Sequence, residues 1–160
     1  GELDTLIIDL PPGTGDVSLT MAQMLRLTGA IVVCTPQRVA QDDASRAIQM
    51  FRQLGVEILG VVENMSTFVG DDGKEYDIFG KGGAQHMAQR IGVPFLGALP
   101  ITMSLRQNSD AGDPSANFTG TGRAELALAQ ALGAMIRQVE SQVALASLKH
   151  AQATPKLTIS

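Results

Sequence analysis

Cysteine is nearly absent from this sequence: Cys34 stands alone among 160 residues, which excludes an internal disulfide and suits a reducing compartment. A basic cluster is missing too, and the net charge is −4, so nucleic acid is not expected as a partner. No apolar run is long enough for a bilayer-spanning helix, and no signal-peptide pattern is present. The expectation is a cytoplasmic protein with no membrane partner. Charged residues are scarce, 18% against 44% hydrophobic, which fits a compact α/β protein rather than a disordered chain. There are no internal repeats and no interdomain linker, and the length allows one domain with a real core.

The phosphate-binding pattern G-x-x-x-x-G-K-[ST] is also missing. Two glycine-rich stretches, GDDGK at 70–74 and GKGG at 80–83, lack its spacing and its hydroxyl residue after lysine.

What is present is organised around residues 5–16, TLIIDLPPGTGD. Leu6, Ile7 and Ile8 form the short apolar run expected of a parallel strand covered on both faces. Asp9 falls at its carboxyl end, where open α/β sheets place ligands. Pro11 and Pro12 cannot continue a ladder, Gly13 and Gly15 permit close backbone approach, and Asp16 is placed to N-cap a helix from Val17. A carboxylate there, followed by such a loop, suits a magnesium–nucleotide site. Spacing alone leaves a plain strand, loop and capped helix equally open.

The rest alternates helix and strand. Val17 to Leu27 is expected to be helical, closed by Gly29, and Ala30–Cys34 to be a buried strand ending at Thr35-Pro36-Gln37. A helix over about 39–54 buries Ala40, Ala44, Ala47, Ile48 and Phe51, and a third strand over 58–63 leads into Asn64-Met65-Ser66. Residues 67–83 are irregular, with a turn at Asp71-Asp72-Gly73, and Tyr76, Ile78 and Phe79 are open to two readings, a short strand or a segment folded back on the body. A helix over 83–91 and a strand over 95–99 ending at Pro100 follow, then a loop over 101–117 with one helical turn at most. The last helix runs from about Thr121 into the 140s, with Leu126, Ala129, Leu132, Ile136, Val139 and Val143 on one face. Residues 1–150 are thus assigned to the domain and 151–160 to a flexible tail. The architecture expected is α/β, a doubly wound and mostly parallel sheet.

Asn64 closes a buried strand, and its amide offers the donor and acceptor edge that adenine needs; capping the strand is the other reading that spacing leaves open. No cysteine or carboxylate stands at metal-ligand spacing from His86 or His150, which read as surface residues, and the seven methionines read as core filler. Arg106 with Asp110, and Asp43 with Arg46, are expected as surface ion pairs on helices.

The string LDTLIIDLPPGTGD resembles the signature of Mrp/ApbC-type P-loop ATPases that carry iron–sulfur clusters, relatives of MinD and ParA. GVVENMS at 60–66 and the stretch GALP…SLR…SDAGDP at 97–114 are similar to the same family, so the likeness covers most of residues 2–115. It implies a P-loop NTPase fold, incomplete here on its N-terminal side, as the C-terminal part of a longer homodimeric ATPase. It implies ATP and magnesium, with Asp9 on the metal through water, Gly13 to Asp16 as the nucleotide-sensing switch, and Asn64 and Pro100 at the base. Iron–sulfur apo-proteins are the implied clients. One departure stands out: many members carry C-x-x-C between ENMS and the DIFG-like segment, where this sequence reads STFVGDDGKEYDIFGKGG. Two rival readings are a MinD- or ParA-like positioning ATPase, which calls for a basic tail where only Lys149 and Lys156 stand, and a dimeric scaffold without activity that uses the surface near Tyr76 to Phe79.

Overall fold

Three of the expected strands pair side by side in the computed structural model, which describes residues 2–11, 15–70 and 74–153. β1 (Ala30–Cys34), β2 (Ile58–Glu63) and β5 (Phe95–Ala98) form a parallel sheet in the order β1-β2-β5. β2 is central and buried along its whole length, which is why ILGVVE is a near-continuous apolar run rather than an alternating one. Gly60 is required within it. Its φ is +154°, and a Cβ there would fall 2.6 Å from the Leu96 side chain and 2.8 Å from the Pro94 carbonyl.

Between β1 and β2 lies α2 (Arg38–Gln53), which buries Ala44, Ile48 and Phe51 at the spacing read from the sequence. β3 (Phe68–Val69) and β4 (Glu75–Tyr76) make a small antiparallel ribbon, and α3 (Gly83–Ile91) follows. α2 and α3 pack against each other and against β1 and β2, around a core that includes Val32, Cys34, Ile48, Val61, Met87 and Ala88. α5 (Arg123–Ala153) covers β5 and β2. The result is the expected α/β arrangement.

Several boundaries differ, each for a physical reason. Residues 5–10 form no strand: Leu6 is 71% and Ile7 86% exposed, and no strand among the described residues bonds to them. An apolar run becomes a strand only where a partner satisfies its backbone. α1 (Asp16–Met24) begins one residue early with Gly15 as its N-cap, so Asp16 lies in the first turn and caps nothing. It stops short of Leu27 because only Ser18 and Ala22 are buried, leaving little packing to sustain a longer helix. The stretch 101–117 holds more helix than expected: α4 (Met103–Asp110), whose first turn is capped by the Thr102 hydroxyl accepting from the Leu105 N–H, and a 3-10 turn at Pro114–Phe118. Polar α4 buries none of its residues, so hydrophobic periodicity could not reveal it. α5 continues to Ala153, into the stretch assigned to the tail, and buries Leu128 and Ala146 while Leu126 and Ile136 are exposed. A helix of 31 residues is about 46 Å long, more than twice the reach of these strands, so no single stripe of it meets the sheet throughout. Residues 154–160 lie outside the described residues.

Candidate functional site

All three strands point their carboxyl ends the same way, and the segments leaving them are tied to one another. The Asn64 N–H donates to the Cys34 carbonyl at 2.8 Å, extending the β1–β2 ladder by one residue. The Leu99 N–H donates to the Glu63 carbonyl at 2.8 Å, and the Ser66 N–H and hydroxyl both reach the Leu99 carbonyl, at 3.0 and 3.1 Å. Ile101 N–H donates to the Thr67 carbonyl at 2.7 Å. Asn64 and Pro100, two of the expected site residues, therefore sit on adjoining strand ends, Asn64 half-buried and Pro100 buried.

Asn64 is fixed beyond its backbone. Its Oδ1 accepts from the Met65 N–H at 2.9 Å, and Met65 holds φ at +57°, the left-handed region that a non-glycine residue rarely enters. Such a conformation costs on the order of 1–3 kcal/mol and persists where surrounding bonds over-determine it. After Met65 has bonded, Oδ1 retains a lone pair and Nδ2 retains two donors.

Glu63 escaped the sequence reading. It is 1% exposed, yet its carboxylate is fully partnered: Oε1 accepts from the N–H of Gly82, the N-cap of α3, at 3.0 Å and Oε2 from the Ala84 N–H in its first turn at 2.8 Å. An acidic residue closing an otherwise apolar strand was the signal available. Beside it in register, Cys34 has its thiol pushed up to about 11, first by burial and second by the Glu63 charge. The loop after β1 is held against the same turn: the Gln41 side-chain amide donates to the Pro36 carbonyl at 2.7 Å, and a Cβ on Gly83 would fall 2.2 Å from that carbonyl oxygen.

The acidic residues of the first motif lie apart from this network. Asp9 and Asp16 are exposed, and Gly13 lies outside the described residues. The Ser18 hydroxyl reaches the Pro11 carbonyl at 3.4 Å and gives the segment before α1 one anchor. No group of three or more His, Cys, Asp or Glu is placed to hold a metal among the described residues. Arg106 pairs with Asp110 at 2.9 Å and Arg46 with Asp43, both on exposed helix faces as expected. A cavity of about 450 Å³ opens at the opposite end of the sheet, but Arg52 there donates to the Ile91 and Gly92 carbonyls and Lys149 pairs with Glu57.

A parallel sheet flanked by helices, with linked loops at the strand carboxyl ends, defines an α/β protein of the open-sheet kind that places ligands at those ends. The chain belongs to the ParA family of NUBPL iron-transfer P-loop NTPases, whose sequence model matches residues 1–146. It is 48% identical over 149 residues to the iron–sulfur cluster carrier protein of Deinococcus radiodurans, covering 92% of this chain and 41% of that protein. It is 50% identical over 115 residues to an iron–sulfur protein required for NADH dehydrogenase in Arabidopsis thaliana mitochondria, covering 71% of this chain and 37% of that one. The chain thus spans less than half the length of these curated relatives. A nucleotide-binding protein from Archaeoglobus fulgidus, solved in complex with ADP, superimposes with a TM-score of 0.67 at 38% identity, over 79% of this chain and 51% of that one. The Pyrococcus furiosus cell-division ATPase MinD has the same fold, with a TM-score of 0.54 at 20% identity over 71% of this chain and 43% of that one.

Proposed function

We propose that this chain supplies the base-binding and switch side of an ATP-hydrolysing carrier of iron–sulfur clusters. The observation that carries the reading is Asn64, held at the carboxyl end of the central strand by the Cys34 carbonyl and by Met65. An amide fixed there pairs with adenine through one donor and one acceptor. Pro100, next along the adjoining strand end, walls the same space.

Asp9 and Asp16 supply carboxylate oxygens at the two ends of the motif DLPPGTGD, the donor type that magnesium takes. The donor chemistry fits a cation held mostly by water and phosphate, with Asp9 acting through water. Magnesium there supplies charge neutralisation of the phosphates. The part assigned to this chain's own residues is to orient: Asn64 fixes the base, and Gly13 to Asp16 respond to the terminal phosphate. These residues contain no phosphate-binding lysine motif, so hydrolysis is proposed for the complete natural protein.

The cluster is cargo, and the donor set here does not fit it. Cluster irons are held by thiolates, and the one thiol present is buried and holds its proton well into alkaline pH. Delivery to iron–sulfur apo-proteins by a cytoplasmic homodimer is proposed from the family.

The test is nucleotide binding and turnover by the complete protein with Asn64→Ala and Asp9→Ala. Asn64→Ala is expected to weaken ATP binding about tenfold and erode the preference for adenine over guanine. Asp9→Ala is expected to lower turnover and its magnesium dependence while leaving base preference alone. Unchanged constants in both variants would remove the site assignment.

A further inference from the structure

We propose that Ser66 is a positioning residue that fixes the Asn64 amide by holding open a bulge at Met65. The inference rests on the reading of Asn64 as the base contact and adds the residue that keeps its side chain in place.

Glu63 stands opposite Ala98, and the Leu99 N–H donates to the Glu63 carbonyl, as a parallel ladder requires. In continued register the next bond would run from the Met65 N–H to the Leu99 carbonyl. That carbonyl instead accepts from the Ser66 N–H, one residue later, at 3.0 Å, and from the Ser66 hydroxyl at 3.1 Å. The slip then grows: continued register sets Ser66 opposite Ile101, where the next bridge pairs Phe68. Extra residues in one strand of a pair make a bulge, a device that re-aims side chains beside a site.

Met65 is the first extra residue, and its left-handed φ of +57° marks the turn. Its N–H, withdrawn from the ladder, donates to Asn64 Oδ1 at 2.9 Å. A carbonyl oxygen has two lone pairs, and Ser66 fills both of those on Leu99. The Met65 N–H is thereby left to the Asn64 side chain. Ser66 is only 6% exposed, so its hydroxyl bond is shielded from water. Alanine at this position would free one lone pair for the Met65 N–H. The bond that orients the Asn64 amide would then face a competitor.

A serine that merely satisfies its own buried hydroxyl predicts lower stability and unchanged nucleotide affinity in the folded protein. A serine acting through Asn64 predicts a loss of affinity that exists only while the Asn64 amide is present.

The experiment is a double-mutant cycle, read by calorimetric titration of the complete natural protein with magnesium–ADP. The variants are Ser66→Ala, Asn64→Ala and the pair, with Ser66→Thr as the conservative change that keeps the hydroxyl. Ser66→Ala is expected to weaken ADP binding about fivefold, and Ser66→Thr to recover most of that. In the Asn64→Ala background the same Ser66→Ala change is expected to cost less than about twofold. Losses that multiply independently, or an unchanged ADP affinity in Ser66→Ala, would overturn the proposal while leaving Asn64 in place. An ADP affinity unmoved by Asn64→Ala would overturn the base contact itself and the proposal with it. Hydrogen exchange on the unmodified protein needs no variant to fold. ADP is expected to slow exchange at the Ser66 amide, whose partner is Leu99 rather than nucleotide, and unchanged exchange there would overturn the link.

Discussion

Cys34 shows how burial first, and a neighbouring carboxylate second, hold the proton on a thiol. The carboxylate is stabilised by two backbone donors, and the thiol beside it is kept protonated up to about 11. The sign follows from linkage. The folded protein holds the thiol proton more tightly than the unfolded chain does, so this contribution to stability is complete below about pH 9 and is lost as pH rises towards 11. Its full size is on the order of 2 kcal/mol. Thermal unfolding between pH 8 and 11 should therefore show a steeper alkaline loss in the natural sequence than in Cys34→Ser, whose hydroxyl does not titrate there. Parallel pH profiles would contradict this. At the same scale, the losses expected for Asn64→Ala and Asp9→Ala separate base recognition from the metal-dependent step.

Element packing turns on the approach of α3 to the loop after β1. Gly83 is present because nothing larger fits against the Pro36 carbonyl and the Gln41 amide, each within 2.3 Å of where a Cβ would stand. Gly83→Ala is expected to cost about 1–3 kcal/mol through overpacking against backbone. Gly133→Ala in α5 should do the reverse. The nearest atom there is the end of the flexible Arg137 side chain at 3.5 Å, and replacing glycine in a helix interior gains about 0.5–1 kcal/mol. Urea unfolding of the two variants checks both signs, and equal effects would mean that helix propensity, rather than the close approach, decides at Gly83.

For the whole molecule, two surfaces matter. The first is the edge of the sheet. Among the described residues β1 bonds to β2 alone; Ile31 and Val33 on it are 40% and 58% exposed, and Leu6 and Ile7 more fully. An apolar strand edge is a template for pairing with another chain. The 160 residues alone are expected to self-associate with rising concentration in sedimentation velocity, and Val33→Lys to reduce this; a monodisperse monomer at every concentration would contradict it. The second is the ribbon near Phe68 and Tyr76, whose rings lie 6.3 Å apart and whose surroundings contain no thiol. Anaerobic reconstitution of this chain with iron and sulfide should leave no cluster after desalting. Retention of iron and sulfide that survives Cys34→Ser would reveal ligands other than thiolate.

The sequence by itself determined the elements whose signals are local. Apolar runs bounded by glycine and proline placed β1, β2 and α3 to the residue, and helical spacing placed α2 within one, because burial patterns and breakers act over a few residues. It also placed Asn64 at the end of a strand, because the apolar run over 58–63 stops there. Tertiary structure decided the rest. Residues 5–10 have every local mark of a buried strand and are not one, because a strand exists only through its neighbour. Polar α4 buries nothing and left no apolar signature, and the long stripe of α5 could not reveal where the sheet beneath it ends. Glu63 read as one acidic residue at the end of an apolar run. Its role depends on the amides of Gly82 and Ala84, about twenty residues away in sequence, which only the packing of α3 on β2 brings within 3.0 Å.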